Sequence, residues 1–66
     1  MIVHINGEDR EIPDALTVSG LLEWLEILPT LVAVEINREV VQRHLHPETS
    51  VEAGDQIEIV TFTGGG

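Results

Sequence analysis

Three stretches of alternating polarity and one stretch of helical spacing organise this 66-residue chain. From Met1 to Asn6, Met1, Val3 and Ile5 fall on one face and Ile2, His4 and Asn6 on the other, the period-2 pattern of a half-buried strand. Asn6-Gly7 is a strong hairpin signal, because both turn positions want positive φ. The chain is therefore predicted to return antiparallel through Glu8 to Ile12, and Pro13-Asp14 ends the pairing. Thr17 reads as an N-cap, followed at helical spacing by Val18, Leu21, Leu22, Leu25 and Leu28. Gly20 weakens the first turn, Trp24 sits at the edge of the apolar stripe, and Pro29 is expected to stop the helix. Alternation resumes over Leu31–Asn37, with Val32, Val34 and Ile36 on one side and Ala33 and Glu35 on the other. Asn37-Arg38-Glu39 turns the chain into a short strand at Val40-Val41. From Gln42 to Ala53 the pattern breaks into a loop expected to be pinned by Leu45 and Val51. Gly54-Asp55 is a turn, and Gln56–Phe62 is the last strand, with Ile57 and Ile59 inward and Glu58, Val60 and Phe62 outward.

Hairpin, helix, strand, short strand, loop and final strand make an α+β roll: one helix closing a mixed sheet of four to five strands. The helical crossover after the first hairpin places the first and last strands side by side and parallel at the sheet centre. The domain is predicted to span residues 1–62, with residues 63–66 a flexible glycine tail. A core this small holds one helix against one sheet and leaves little room for an enclosed catalytic cavity.

Charge narrows the partners. Twelve acidic residues face three arginines and no lysine, a formal net charge of −9. Such a surface is repelled by phosphate backbones and anionic lipid, so nucleic acid and membranes are poor partners and basic proteins are favoured. Cysteine is absent, which excludes disulfides, a thiolate nucleophile and sulfur-ligated metal, and suits a reducing compartment. No apolar run reaches membrane-spanning length and no signal-peptide pattern opens the chain, so a soluble, cytoplasmic protein is expected.

Candidate chemistry within the domain is sparse. His44 and His46 could face one way in an extended segment with Glu48 nearby. Zinc needs three or four converging ligands, however, and His4 belongs to the other side of the domain; surface histidines are the expectation, and no metal. The carboxylates and histidines could form an acid–base pair only in a cleft that separates their pKa values, and no cleft is implied. Ser19 and Ser50 lack a nucleophile elbow, and no helix follows the glycines to make them a phosphate loop. Autonomous catalysis is not expected.

The remaining signal is Gly64-Gly65-Gly66 directly after a patterned apolar strand. Three extended residues reach roughly 10 Å, enough to carry a terminal carboxylate into another protein through a channel too narrow for side chains. Phe62 and Val60, outward on the strand leading into this tail, are candidate anchors for that partner, with Ile2 and Ala33 as possible neighbours.

Val34-Glu35-Ile36-Asn37, Val41, Arg43, the run Gly54–Phe62 and the closing glycines together resemble the sulfur carrier proteins of thiamine (thiazole) biosynthesis. These belong to the ubiquitin-like β-grasp superfamily, and the resemblance covers essentially the full length. Gln42 stands where a proline often occurs, His46 falls near a position that is often aromatic, and Thr63 is more polar than the usual residue before the glycines. The resemblance implies a carrier consumed as a co-substrate. Its Gly66 carboxylate would be adenylated by an activating adenylyltransferase using ATP, then converted to a thiocarboxylate with sulfur from a sulfur-donor protein. Thiazole synthase would be the acceptor. Gly65 and Gly64 would form the tether, and Phe62, Val60 and Glu58 the partner-binding surface. No cofactor would be bound by this chain, and the free protein would be a monomer. Neighbouring classes share the tail: the small subunit of molybdopterin synthase, which is usually somewhat longer, and ubiquitin-like modifiers, which acylate lysines.

Overall fold

A computed structural model describes residues 1–62, and the expected tail over residues 63–66 lies outside the described residues. The chain forms strands β1 (Ile2–Ile5) and β2 (Glu8–Glu11), helix α1 (Val18–Trp24), then β3 (Val32–Ile36), β4 (Glu39–Val41) and β5 (Gln56–Thr61). The five strands lie in the order β2-β1-β5-β3-β4. β1 and β5 are parallel at the centre and the other neighbours antiparallel, as the crossover logic requires. This is the β-grasp roll, and the apolar face of its sheet buries Val3, Ile5, Val34 and Ile57 against Val18, Leu21 and Leu22 of α1.

The hairpin turns where the sequence marks it, with Asn6 at φ 51° and Gly7 at φ 83°. Thr17 caps α1: its Oγ1 accepts from the Gly20 amide at 3.1 Å. The helix ends earlier than the expected stop at Pro29. Glu26 takes the left-handed conformation (φ 61°), its amide donates to the Glu23 carbonyl, and the Ile27 amide donates to the Leu22 carbonyl at 2.9 Å. These two bonds are a Schellman cap, which turns the chain away from the helix axis before Leu28 is reached. Ile27 then packs against the core while Leu28 is 64% exposed, so Leu28 is not part of the stripe.

The stretch Gln42–Ala53 contains a 3-10 helix, Arg43–Glu48, and the residue pinning it differs from expectation. Leu45 is 40% exposed, whereas His46 is only 3% exposed. Its Nε2–H donates to the Val41 carbonyl at 3.1 Å, tying the 3-10 helix to β4. A surface role for all three histidines is thus corrected: His44 is exposed, His4 is half-buried and donates from Nδ1 to Asp9 across the hairpin, and His46 belongs to the interior. Val51 is buried as expected, its amide bonded to the Leu16 carbonyl.

Candidate functional site

β5 leads to the glycines, and the sheet holds it from both sides. Toward β3 it pairs from Gln56 to Phe62, whose amide donates to the Leu31 carbonyl at 2.8 Å. Toward β1 the backbone pairing covers His4 and Ile5, and an asparagine side chain continues it. Asn6 Oδ1 accepts from the Ile59 amide at 2.8 Å and Asn6 Nδ2 donates to the Ile59 carbonyl at 3.2 Å. Asn37, also left-handed (φ 51°), accepts from the Gln56 amide at 3.0 Å and donates to Asp55 at 3.1 Å. Asparagine suits both places, because it tolerates positive φ and carries a donor and an acceptor that mimic a peptide group. Hairpin chemistry predicted the turn at Asn6; that the same side chain grips Ile59 follows only from the tertiary pairing.

The outward face of β5 carries the expected candidates. Glu58 is exposed, Val60 is 53% exposed and Phe62 is 56% exposed. Ala33 lies directly opposite Val60. Ile2 is not a neighbour: β1 aligns His4 with Gln56, so Ile2 sits about six residue steps, or roughly 20 Å, from Val60 along the strand direction. Val40 of β4, 66% exposed, takes the place expected of Ile2, since it pairs with Glu35 and faces the same way. The turn at Asn37-Arg38-Glu39 predicts a short strand at Val40, but only the β3–β4 register brings Val40 to this face.

Beside Phe62 lies a shallow cavity of about 160 Å³ lined by Ala33, Val40, Val41, Gln42, Arg43 and His46. A second of about 480 Å³ is lined by Glu35, Asn37, Arg38, Gln56 and Glu58. Along the outward face of β5 itself, Val60 and Phe62 near the tail are apolar and Glu58, two residues back, is acidic. Among the described residues no group of three histidine, cysteine or acidic side chains is placed to hold a metal ion. No helix is long and apolar enough to cross a membrane. Gly64, Gly65 and Gly66 lie outside the described residues.

A one-helix β-grasp domain with an apolar outward patch at the end of its central strand defines a ubiquitin-like class of protein. Comparison narrows it. The model of the ThiS family matches residues 3–66, almost the whole chain and including the glycine run. The chain belongs to the ThiS family. The sulfur carrier protein ThiS of Bacillus subtilis is 33% identical over 66 residues, with 98% of this chain and all of that protein covered. A crystal structure of the thiamine biosynthesis protein ThiS from Geobacter metallireducens superposes with a TM-score of 0.87 at 35% identity over the full length of both. A thiazole synthase of Magnetococcus marinus is 42% identical over 66 residues, and the chain spans about a fifth (20%) of that relative's length.

Proposed function

We propose that this chain is a sulfur carrier of thiamine biosynthesis whose Gly66 carboxylate is the carrying group. The observation that carries the reading is the ThiS-family match through residue 66, which joins the glycines to the patterned β5 strand in one unit. The domain is a handle that partners grip by Val60, Phe62 and Glu58, and Gly64-Gly65-Gly66 is the tether. Catalysis belongs to the partners.

The chemistry follows from the reactivity of a carboxylate. Its oxygen is a poor leaving group, so an activating adenylyltransferase must first join it to AMP from ATP, releasing pyrophosphate. Hydrosulfide, set free from the persulfide of a sulfur-donor protein by a thiol reductant, then attacks the acyl carbon and expels AMP, leaving a thiocarboxylate. That group is anionic at neutral pH and presents a soft nucleophile on a narrow tether to thiazole synthase. A partnership with the synthase is supported by the Magnetococcus relative, a thiazole synthase that contains a stretch similar to the whole of this chain. This chain binds no cofactor in the scheme, and ATP is bound by the activating enzyme. The absence of lysine means that the activated end cannot acylate a side-chain amine of its own chain.

Incubated with the activating enzyme, ATP and a sulfur source, the wild-type chain gains the mass of sulfur in place of one oxygen, located to Gly66 by fragmentation. Deleting Gly66 abolishes the product, because the carboxylate then falls about 3.5 Å short of the reacting centre. Gly65→Val suppresses it by widening and stiffening the segment. If both variants are modified like wild type, the tail is not the carrier; if the activated chain is found joined to lysines of other proteins, it is a modifier instead.

A further inference from the structure

Glu35 and Glu58 stand directly opposite one another on β3 and β5. The bond from the Asn37 amide to the Gln56 carbonyl (2.7 Å) and that from Phe62 to Leu31 (2.8 Å) fix the alternation of the ladder. By that alternation the two glutamates form a hydrogen-bonded pair, with Cα atoms about 5.5 Å apart and both side chains on the outward face. Like charges in this arrangement destabilise a sheet. The chain does not relieve them: among the described residues the ion pairs are those of the Met1 amino group and of His4. Arg38 lines the same cavity yet pairs with neither carboxylate. Asn37 cannot help, because its side-chain amide is already engaged by Asp55 and Gln56.

We infer that Glu35 and Glu58 together receive an arginine of the activating enzyme, whose adjoining apolar surface covers Val60, Val40 and Phe62. The inference rests on the carrier reading and names the partner chemistry of its docking face. An enzyme that adenylates a carboxylate must neutralise the triphosphate of ATP with cationic groups, so the rim around its site is electropositive. A guanidinium presents five donors in a planar fork and can bridge two carboxylates, which an ammonium cannot do with fixed geometry. Placed between Glu35 and Glu58, it also removes their repulsion, so the complex gains by relief as well as by attraction. An arginine beside an apolar anchor is the composition that dominates binding at protein interfaces.

The test uses the full chain, the activating enzyme and Mg-ATP. The variant is Glu35→Gln/Glu58→Gln; the control, Glu8→Gln/Glu52→Gln, removes the same two charges from exposed sites elsewhere. The first variant is expected to bind the enzyme at least roughly tenfold more weakly and to form thiocarboxylate correspondingly slowly below saturation. Its thermal midpoint should be at or above that of wild type, because a repulsion has been removed. The control should bind within about twofold of wild type at moderate salt. Equal losses in the two variants would show that net charge alone matters and overturn the inference, as would no loss in either. Normal thiocarboxylate formation with failed transfer to the acceptor enzyme would assign the face to the acceptor and likewise overturn it. A wild-type chain that is neither bound nor modified overturns the carrier reading itself, which the first outcomes leave standing.

Discussion

Phe62 ends the pairing of β5 with more than half of its surface in solvent, and it is not part of the core cluster. Phe62→Ala should therefore leave the thermal midpoint nearly unchanged while weakening binding to the activating enzyme by on the order of 1–3 kcal/mol, read by titration calorimetry and a thermal melt. An unfolded variant would show that the ring supports the fold. His46 is the opposite case. It is buried, one ring nitrogen holds β4, and Nδ1 is buried with no hydrogen-bond partner. An unmet buried polar atom costs about 1–3 kcal/mol, against which stands the burial of the rest of the ring. The interior position of His46 accords with the resemblance, in which that place is often aromatic.

Among the elements, α1 shows a local rule broken for a tertiary gain. The left-handed C′ position of its Schellman cap is normally glycine, yet Glu26 occupies it at φ 61°. A side chain there is strained. Glu26→Gly should accordingly stabilise the domain by about 0.5–1 kcal/mol, raising the thermal midpoint by roughly 3–6 °C. A lowered midpoint would mean that the flexibility of glycine in the unfolded chain outweighs the strain. The turn is kept because it delivers Ile27 to the core and starts the return to β3. β5 is secured by a related device: Asn6 and Asn37 each close one flank, so the strand that presents Val60 and Phe62 is held from both neighbours.

At the scale of the whole molecule, the net charge of −9 acts at a distance that no single contact reaches. A basic partner surface is approached faster than neutral diffusion allows, and the effect fades as the Debye length shrinks from about 30 Å at 0.01 M to about 8 Å at 0.15 M salt. The association rate with the activating enzyme should fall steeply over that range while the dissociation rate changes little, as stopped-flow measurement would show. A flat association rate would remove steering from the account. The apolar patch and the glutamate pair lie on the same outward face of the sheet.

The hairpin, the Thr17 cap, the three alternating strands and the parallel central pair were legible in the residues alone. Each depends on short-range rules: positive φ at Asn6-Gly7, a hydroxyl before an apolar stripe, side chains alternating across a pleat. The outward placement of Glu58, Val60 and Phe62 follows from the same alternation. Four features needed the folded molecule. The end of α1 was set by a left-handed glutamate, to which helical periodicity is blind. The choice of His46 over Leu45 for the interior turned on a carbonyl of β4 that only the 3-10 helix brings within reach. The replacement of Ile2 by Val40 beside the patch, and the meeting of Glu35 with Glu58, are matters of register between distant strands. Register is decided by how the sheet as a whole buries its apolar face, which no short stretch of sequence contains.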